Sequence, residues 1–121
     1  MSDDSPITIE RVGDVAVARV HLSELTSRCA DLMLKEFGRA QDGDKPPRLV
    51  VDLSSVKFID SVALGTLVLL LRRINQAGGK LVLAGLTGHP RKMLEVTGLE
   101  KVFQFQDDVP SAVARLQGVA T

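Results

Sequence analysis

Asp60 and Ser61 are the residues of this chain whose types and position most readily do chemistry, a carboxylate and a hydroxyl heading a long apolar stretch. Where such a stretch becomes a helix, its first turn carries backbone amides without intrahelical partners, and either side chain can accept from one of them. Only one of the two can be the cap, which leaves the other without a structural duty. Position 64 is Leu, so Ser61 has no Glu or Gln with which to form a capping box. If Ser61 is the spare residue, the free amides and the positive end of the helix dipole suit it to carry an anion. A phosphate there would bring roughly −1.5 to −2 charges to a chain whose fifteen basic and fifteen acidic residues cancel. Capping and modification both remain open from the residues alone.

Other chemistries lack their parts. Ile59 and Ala63 occupy the positions that a Gly-x-Ser-x-Gly nucleophile turn gives to glycine. The two histidines, His21 and His89, fall at a strand end and in a turn before Pro90, where surface or capping roles are expected. No Cys/His cluster is spaced for zinc, and Gly79-Lys80 is followed by Leu81, so no phosphate-cradling Gly-Lys-Ser/Thr loop exists. The chain is expected to be no enzyme and to need no cofactor or metal.

The elements that must position Asp60 and Ser61 read as follows. Residues 1–5 form a loose terminus, and residues 6–121 are long enough for one domain. Ile7 to Val12 and Val15 to Val20 are β-rich runs joined by the turn signal Gly13-Asp14. Leu25, Cys29, Leu32, Met33 and Phe37 recur at helical spacing and predict a helix over 25–40, with Cys29 on its packing stripe. Asp42 to Pro47 is a loop, and Arg48 to Leu53 a β-branched run. A helix over 61–76 follows, closed by Gly78-Gly79. Lys80 to Ala84 reads as a strand, Thr87 to Val96 as a short helix, Val102 to Phe105 as a last strand and Val109 to Leu116 as a closing helix. Strands alternating with helices after an initial hairpin predict an α/β fold: a mixed, mainly parallel sheet of four to five strands, packed with about four helices.

On the helix that begins at Ser61, Leu64, Leu67, Val68, Leu71 and Asn75 are expected on the core face. Val62, Thr66, Leu69 and Arg73 then share the opposite side, an apolar excess that either neighbouring helices or a docking partner would cover.

Composition bounds the partners. Aromatic residues are 3% of the chain, with no Trp or Tyr, which removes the stacking platforms of single-stranded nucleic-acid binders. The balanced charge offers no basic stripe for a phosphate backbone, so no nucleic acid is expected. The single cysteine fits a reducing compartment. The acidic, polar start lacks a signal-peptide layout and the longest apolar run, Leu67 to Leu71, is too short to span a bilayer. A cytoplasmic protein without direct membrane insertion is expected.

The stretch Leu49-Val-Val-Asp-Leu-Ser-Ser-Val-Lys-Phe-Ile-Asp-Ser-Val-Ala-Leu-Gly65, with Gly78-Gly-Lys-Leu-Val-Leu-Ala84 and Met93-Leu-Glu-Val-Thr-Gly-Leu99, resembles a STAS domain of the bacterial anti-sigma factor antagonist kind. The resemblance is densest from Leu49 to Phe105. It implies binding to an anti-sigma factor that is also a serine kinase, phosphorylation of the serine matching Ser61, and resetting by a phosphatase. Asp60 matches the preceding motif aspartate, and Asp52 a polar position near the same surface. The family's Gly-x-Leu-Asp contact segment corresponds to Ser23-Glu-Leu-Thr26, and its Ser/Thr-Gly after the acceptor serine to Val62-Ala63. An alternative within the family is a docking subunit of a membrane lipid-transport or stress-signalling complex, with no phosphate cycle.

Overall fold

The computed structural model describes residues 5–39 and 45–117. Residues 1–4 of the expected loose terminus and 42–44 of the expected loop lie outside them. Strands β1 (Ile7–Val12), β2 (Val15–Val20), β4 (Arg48–Asp52), β6 (Lys80–Ala84) and β7 (Gln104–Gln106) form one sheet in the order β1-β2-β4-β6-β7. The β1–β2 hairpin is antiparallel, turning at Gly13 with φ 62°, and every other pairing is parallel. Two-residue strands β3 (Glu24–Leu25) and β5 (Phe58–Ile59) make a separate small parallel ladder. Helices α1 (Ala30–Gly38), α2 (Ser61–Gln76), α3 (Gly88–Val96) and α4 (Val109–Gln117) complete the α/β architecture.

The three central strands are apolar on both faces because both faces are covered. On one side Leu49, Val51, Leu81 and Leu83 share a core with Met33 and Phe37 of α1, Leu67 and Ile74 of α2 and Leu94 of α3. On the other, Val15, Val17, Val50 and Val82 meet Ala112, Val113 and Leu116 of α4. The larger core therefore lies under α1 and α2, and α2 is anchored along its length by the sheet.

The first helix is shorter than its periodicity predicts. Leu25 belongs to β3, residues 27–29 form a 3-10 turn, and the α-helix starts at Ala30. The cause is long-range: Leu25 pairs with Ile59, and the Ser27 amide donates to an Asp60 carboxylate oxygen at 2.9 Å. Met33 and Phe37 are buried as the stripe predicts, while Cys29 and Leu32 are half-buried against the same core. The last strand is also shifted, to residues 104–106, because Leu99–Lys101 tighten into a 3-10 turn.

Helix α2 ends in a Schellman arrangement. Gly78, at φ 78°, donates to the Asn75 carbonyl at 3.0 Å, and the Gly79 amide reaches Ile74 at 2.9 Å. Position 79 has no room for a side chain, since a Cβ would stand 2.1 Å from the Pro47 carbonyl oxygen. This fixes where the chain leaves α2 and enters β6.

Candidate functional site

The entrance to α2 is built from two directions. Strand β5 delivers Asp60 to the helix start, and the Ser23–Ser27 segment closes over it. Phe58 N–H donates to the Ser23 carbonyl at 3.1 Å, and Asp60 N–H to the Leu25 carbonyl at 3.1 Å. Ile59 and Leu64, flanking the cap at the positions of a hydrophobic staple, are both buried.

Asp60 is the cap. One carboxylate oxygen accepts from Ala63 N–H at 2.8 Å and the other from Ser27 N–H at 2.9 Å. The Ala63, Ser27 and Val62 amides hold its carboxyl below the usual carboxylate range, Ala63 most strongly, with partial desolvation opposing them. Ser61 is consequently the first helical residue, exposed, and its hydroxyl makes no hydrogen bond to the other described residues. Thr26, half-buried, lies next to Ser27 in the segment tied to Asp60, so Thr26, Asp60, Ser61 and Val62 come together at one corner.

Along α2 the core face is Ala63, Leu64, Thr66, Leu67, Leu70, Leu71 and Ile74. The expected outer set therefore needs correction at Thr66, which is buried at 7% exposure and donates its hydroxyl to the Val62 carbonyl at 2.9 Å. Thr66 presents nothing to a partner. Asn75, expected inside, is exposed, and Val68 is half-buried. Apolar residues surround nearly the whole circumference of this helix, so spacing alone misplaces the stripe by about one position in the turn. Val62 (51%), Leu69 (38%) and Arg73 are exposed as expected. Ala63 is fully buried, so of the two residues after Ser61 only Val62 projects outward.

The exposed face of α2 also includes Gly65, which spacing did not single out. Gly65 lies one helical turn beyond Ser61, is exposed, and a Cβ built there meets nothing within 4 Å. Glycine inside a helix costs about 0.5–1 kcal/mol relative to alanine. Packing within the domain does not demand it. The result is a strip of bare backbone between Ser61 and Leu69. The signal in the sequence was glycine in a strong helix-forming run.

Asp52 stands apart from this corner. Alternation along β4 puts it on the face of Val50, which packs against α4, while α2 packs on the other. Its oxygens accept from Arg19 Nη1 at 3.1 Å and from the Ser54 amide and hydroxyl at 3.0 and 2.7 Å. With Arg19, Ser54, Asp107 and Asp108 it lines a cavity of about 250 Å³ at the carboxyl end of the sheet.

On the other flank of β5, the Phe58 ring stacks on the His89 imidazole, centroids 4.8 Å apart and planes 13° apart. Both residues are exposed. Among the described residues no group of three or more His, Cys, Asp or Glu side chains is arranged to hold a metal ion, and no helix is long and apolar enough to cross a membrane.

A five-stranded mixed sheet, helices on both faces and an Asp-capped helix headed by a serine define a class. The profile of the STAS domain matches residues 7–112, and the chain belongs to that family. It is 25% identical over 114 residues to an anti-sigma F factor antagonist of Paenibacillus polymyxa, covering 94% of this chain and 97% of that one. Among solved structures it is similar to an anti-sigma factor antagonist from Mycobacterium paratuberculosis, with TM-score 0.80, 25% identity and coverage of 96% and 97%. It also shares the fold of the Bacillus cell fate determinant SpoIIAA in its phosphorylated form, at TM-score 0.69 and 20% identity, with coverage of 90% and 97%.

Proposed function

We propose that this chain is an anti-sigma factor antagonist that binds an anti-sigma factor with serine kinase activity and is switched off by phosphorylation of Ser61. The observation that carries the reading is the division of labour at the helix entrance. Asp60 spends both carboxylate oxygens on the local fold, leaving the neighbouring hydroxyl exposed. In the reaction the γ-phosphoryl group of ATP passes to Ser61 Oγ. A new O–P bond forms as the β–γ bridging bond breaks, the hydroxyl proton goes to a base of the kinase, and ADP leaves. This chain supplies the acceptor and no catalytic group.

The consequence is electrostatic. The added charge sits beside the Asp60 carboxylate and at the head of an apolar strip made by Val62, Gly65 and Leu69. The positive end of the helix dipole favours the phosphate, without unfolding α2. A partner that buried this strip would have to desolvate two adjacent anions, and binding ends. A separate phosphatase restores the hydroxyl. That the SpoIIAA fold accommodates a phosphorylated form supports the reading.

A second reading is plain docking, without a phosphate cycle, as a subunit of a larger assembly. Val62 favours it, since a half-exposed aliphatic side chain directly after Ser61 adds contact area and no chemistry. Incubation with the cognate kinase and ATP separates the two. The switch reading expects one phosphate, on Ser61, abolished in Ser61→Ala. Stable binding with no phosphate transferred, or transfer to another residue, overturns it.

A further inference from the structure

Strand β5 is held on two sides. The amides of Phe58 and Asp60 donate to β3 and its approach, at the Ser23 and Leu25 carbonyls. In a parallel ladder the intervening amide points the other way, and Ile59 N–H donates to His89 Nδ1 at 3.4 Å. His89 thus occupies the place of a third strand, joining α3 to the residue immediately before the Asp60 cap. Its ring is fixed from a second direction by the Phe58 stack. With Nδ1 accepting, the neutral ring carries its proton on Nε2.

We infer that His89 is a positioning residue for Ser61: its unprotonated ring clamps β5 to α3, and protonation at Nδ1 opens the clamp and loosens the turn that presents the hydroxyl. A proton on Nδ1 faces the Ile59 N–H donor to donor, and the ring must swing away. The charged residues on the elements packed here are Glu24, in register with Phe58 on β3, Lys57 and Asp60 flanking β5 in sequence, and Arg91 and Lys92 on α3. Asp60 is engaged by backbone amides, while Arg91 lies 4.3 Å over the Phe105 ring and 3.7 Å from Glu95. Glu24, Lys57 and Lys92 are exposed, and salt screens their charge. The consequence for partner binding rests on the function proposed above; the clamp itself does not.

The test has two arms. In the first, nitrogen NMR of the isolated chain follows the His89 ring and the Ile59 to Val62 amides as the solution is acidified across the range in which the fold persists. The wild type should show an unprotonated Nδ1 at the high end, with the Ile59 amide shifting and exchanging faster as the ring gains its proton. Amides that stay flat, or that titrate identically in His89→Phe, overturn the clamp. In the second arm, the cognate kinase's KM for this chain is measured over the same range. A neutral hydrogen bond of this kind is worth about two- to tenfold in affinity. The wild-type KM should rise by that factor on acidification with kcat unchanged. His89→Asn, whose amide oxygen can accept from Ile59 and does not titrate, should keep the high-pH KM throughout. His89→Phe, which keeps the stack and lacks the acceptor, should show the raised KM at every pH. Equal KM and pH profiles in all three overturn the inference while the proposed function stands. A kinase that does not bind wild type at all refutes the proposed function instead, and the NMR arm still decides the clamp.

Discussion

Replacing Gly65 by alanine separates what the domain needs from what a partner needs. Position 65 is the middle of α2, exposed, with open space where a Cβ would go. For the domain alone, Gly65→Ala removes a helix-interior glycine and should stabilise by about 0.5–1 kcal/mol. For 121 residues an unfolding entropy of roughly 2.1 cal/mol/K per residue converts this to a rise in Tm of about 2–4 °C. For a partner laid closely on the bare backbone between Ser61 and Leu69, the same methyl is an intrusion. Overpacking of a close contact costs typically about 1–3 kcal/mol, or about 5- to 150-fold in Kd. Thermal unfolding by circular dichroism and calorimetric titration with the anti-sigma factor measure the two effects on one preparation. Opposite signs are expected: a more stable domain that binds less well. A lowered Tm would show that position 65 is packed, and a raised Tm with unchanged affinity would show that no partner approaches there.

Four more outcomes are expected. Leu69→Glu should weaken partner binding with Tm nearly unchanged, whereas Thr66→Glu, one helical step toward the core, should lower Tm by many degrees, both read by melting curves and titration. Gly79→Ala should destabilise by about 1–3 kcal/mol in denaturant unfolding, because its Cβ would collide with the Pro47 carbonyl. Asp60→Asn should flatten the acid limb of the stability–pH curve. The Asp60 carboxyl has a lower pKa in the native state than in the unfolded chain. Its stabilisation is therefore full above the unfolded value and is lost as pH falls through the native one. Asp60→Ala should lower Tm and also speed hydrogen exchange at Ser27 and Ala63, the two amides that it holds.

Much of the fold was legible because its determinants are local. Unbroken apolar runs such as Leu49 to Val51 and Leu81 to Ala84 mark strands covered on both faces. Gly78 and Gly98 mark helix ends where the backbone turns left-handed. The Asp60-Ser61 pair was visible as a helix entrance, and the structure resolves which residue caps it. What sequence missed depends on distant partners. Leu25 fits a helical stripe until Ile59 pairs with it, and two-residue strands carry no period of their own. Thr66 reads as an outward polar residue until its hydroxyl turns back to the Val62 carbonyl. Asp52 alternates onto the α4 face, but alternation does not say which helix lies on which side until the chain is folded. The Phe58–His89 stack joins residues 31 positions apart in a way that no spacing rule anticipates.

On the proposed function, a phosphate on Ser61 ends an interaction that the free hydroxyl permits. The most direct measurement is the affinity of one anti-sigma factor for this chain before and after stoichiometric phosphorylation, at fixed salt and pH. Phosphorylation should cost at least about a tenfold loss of affinity, some 1.4 kcal/mol, with the far-ultraviolet dichroism of the chain unchanged. Equal affinities for the two forms, or a loss accompanied by unfolding of α2, would contradict it.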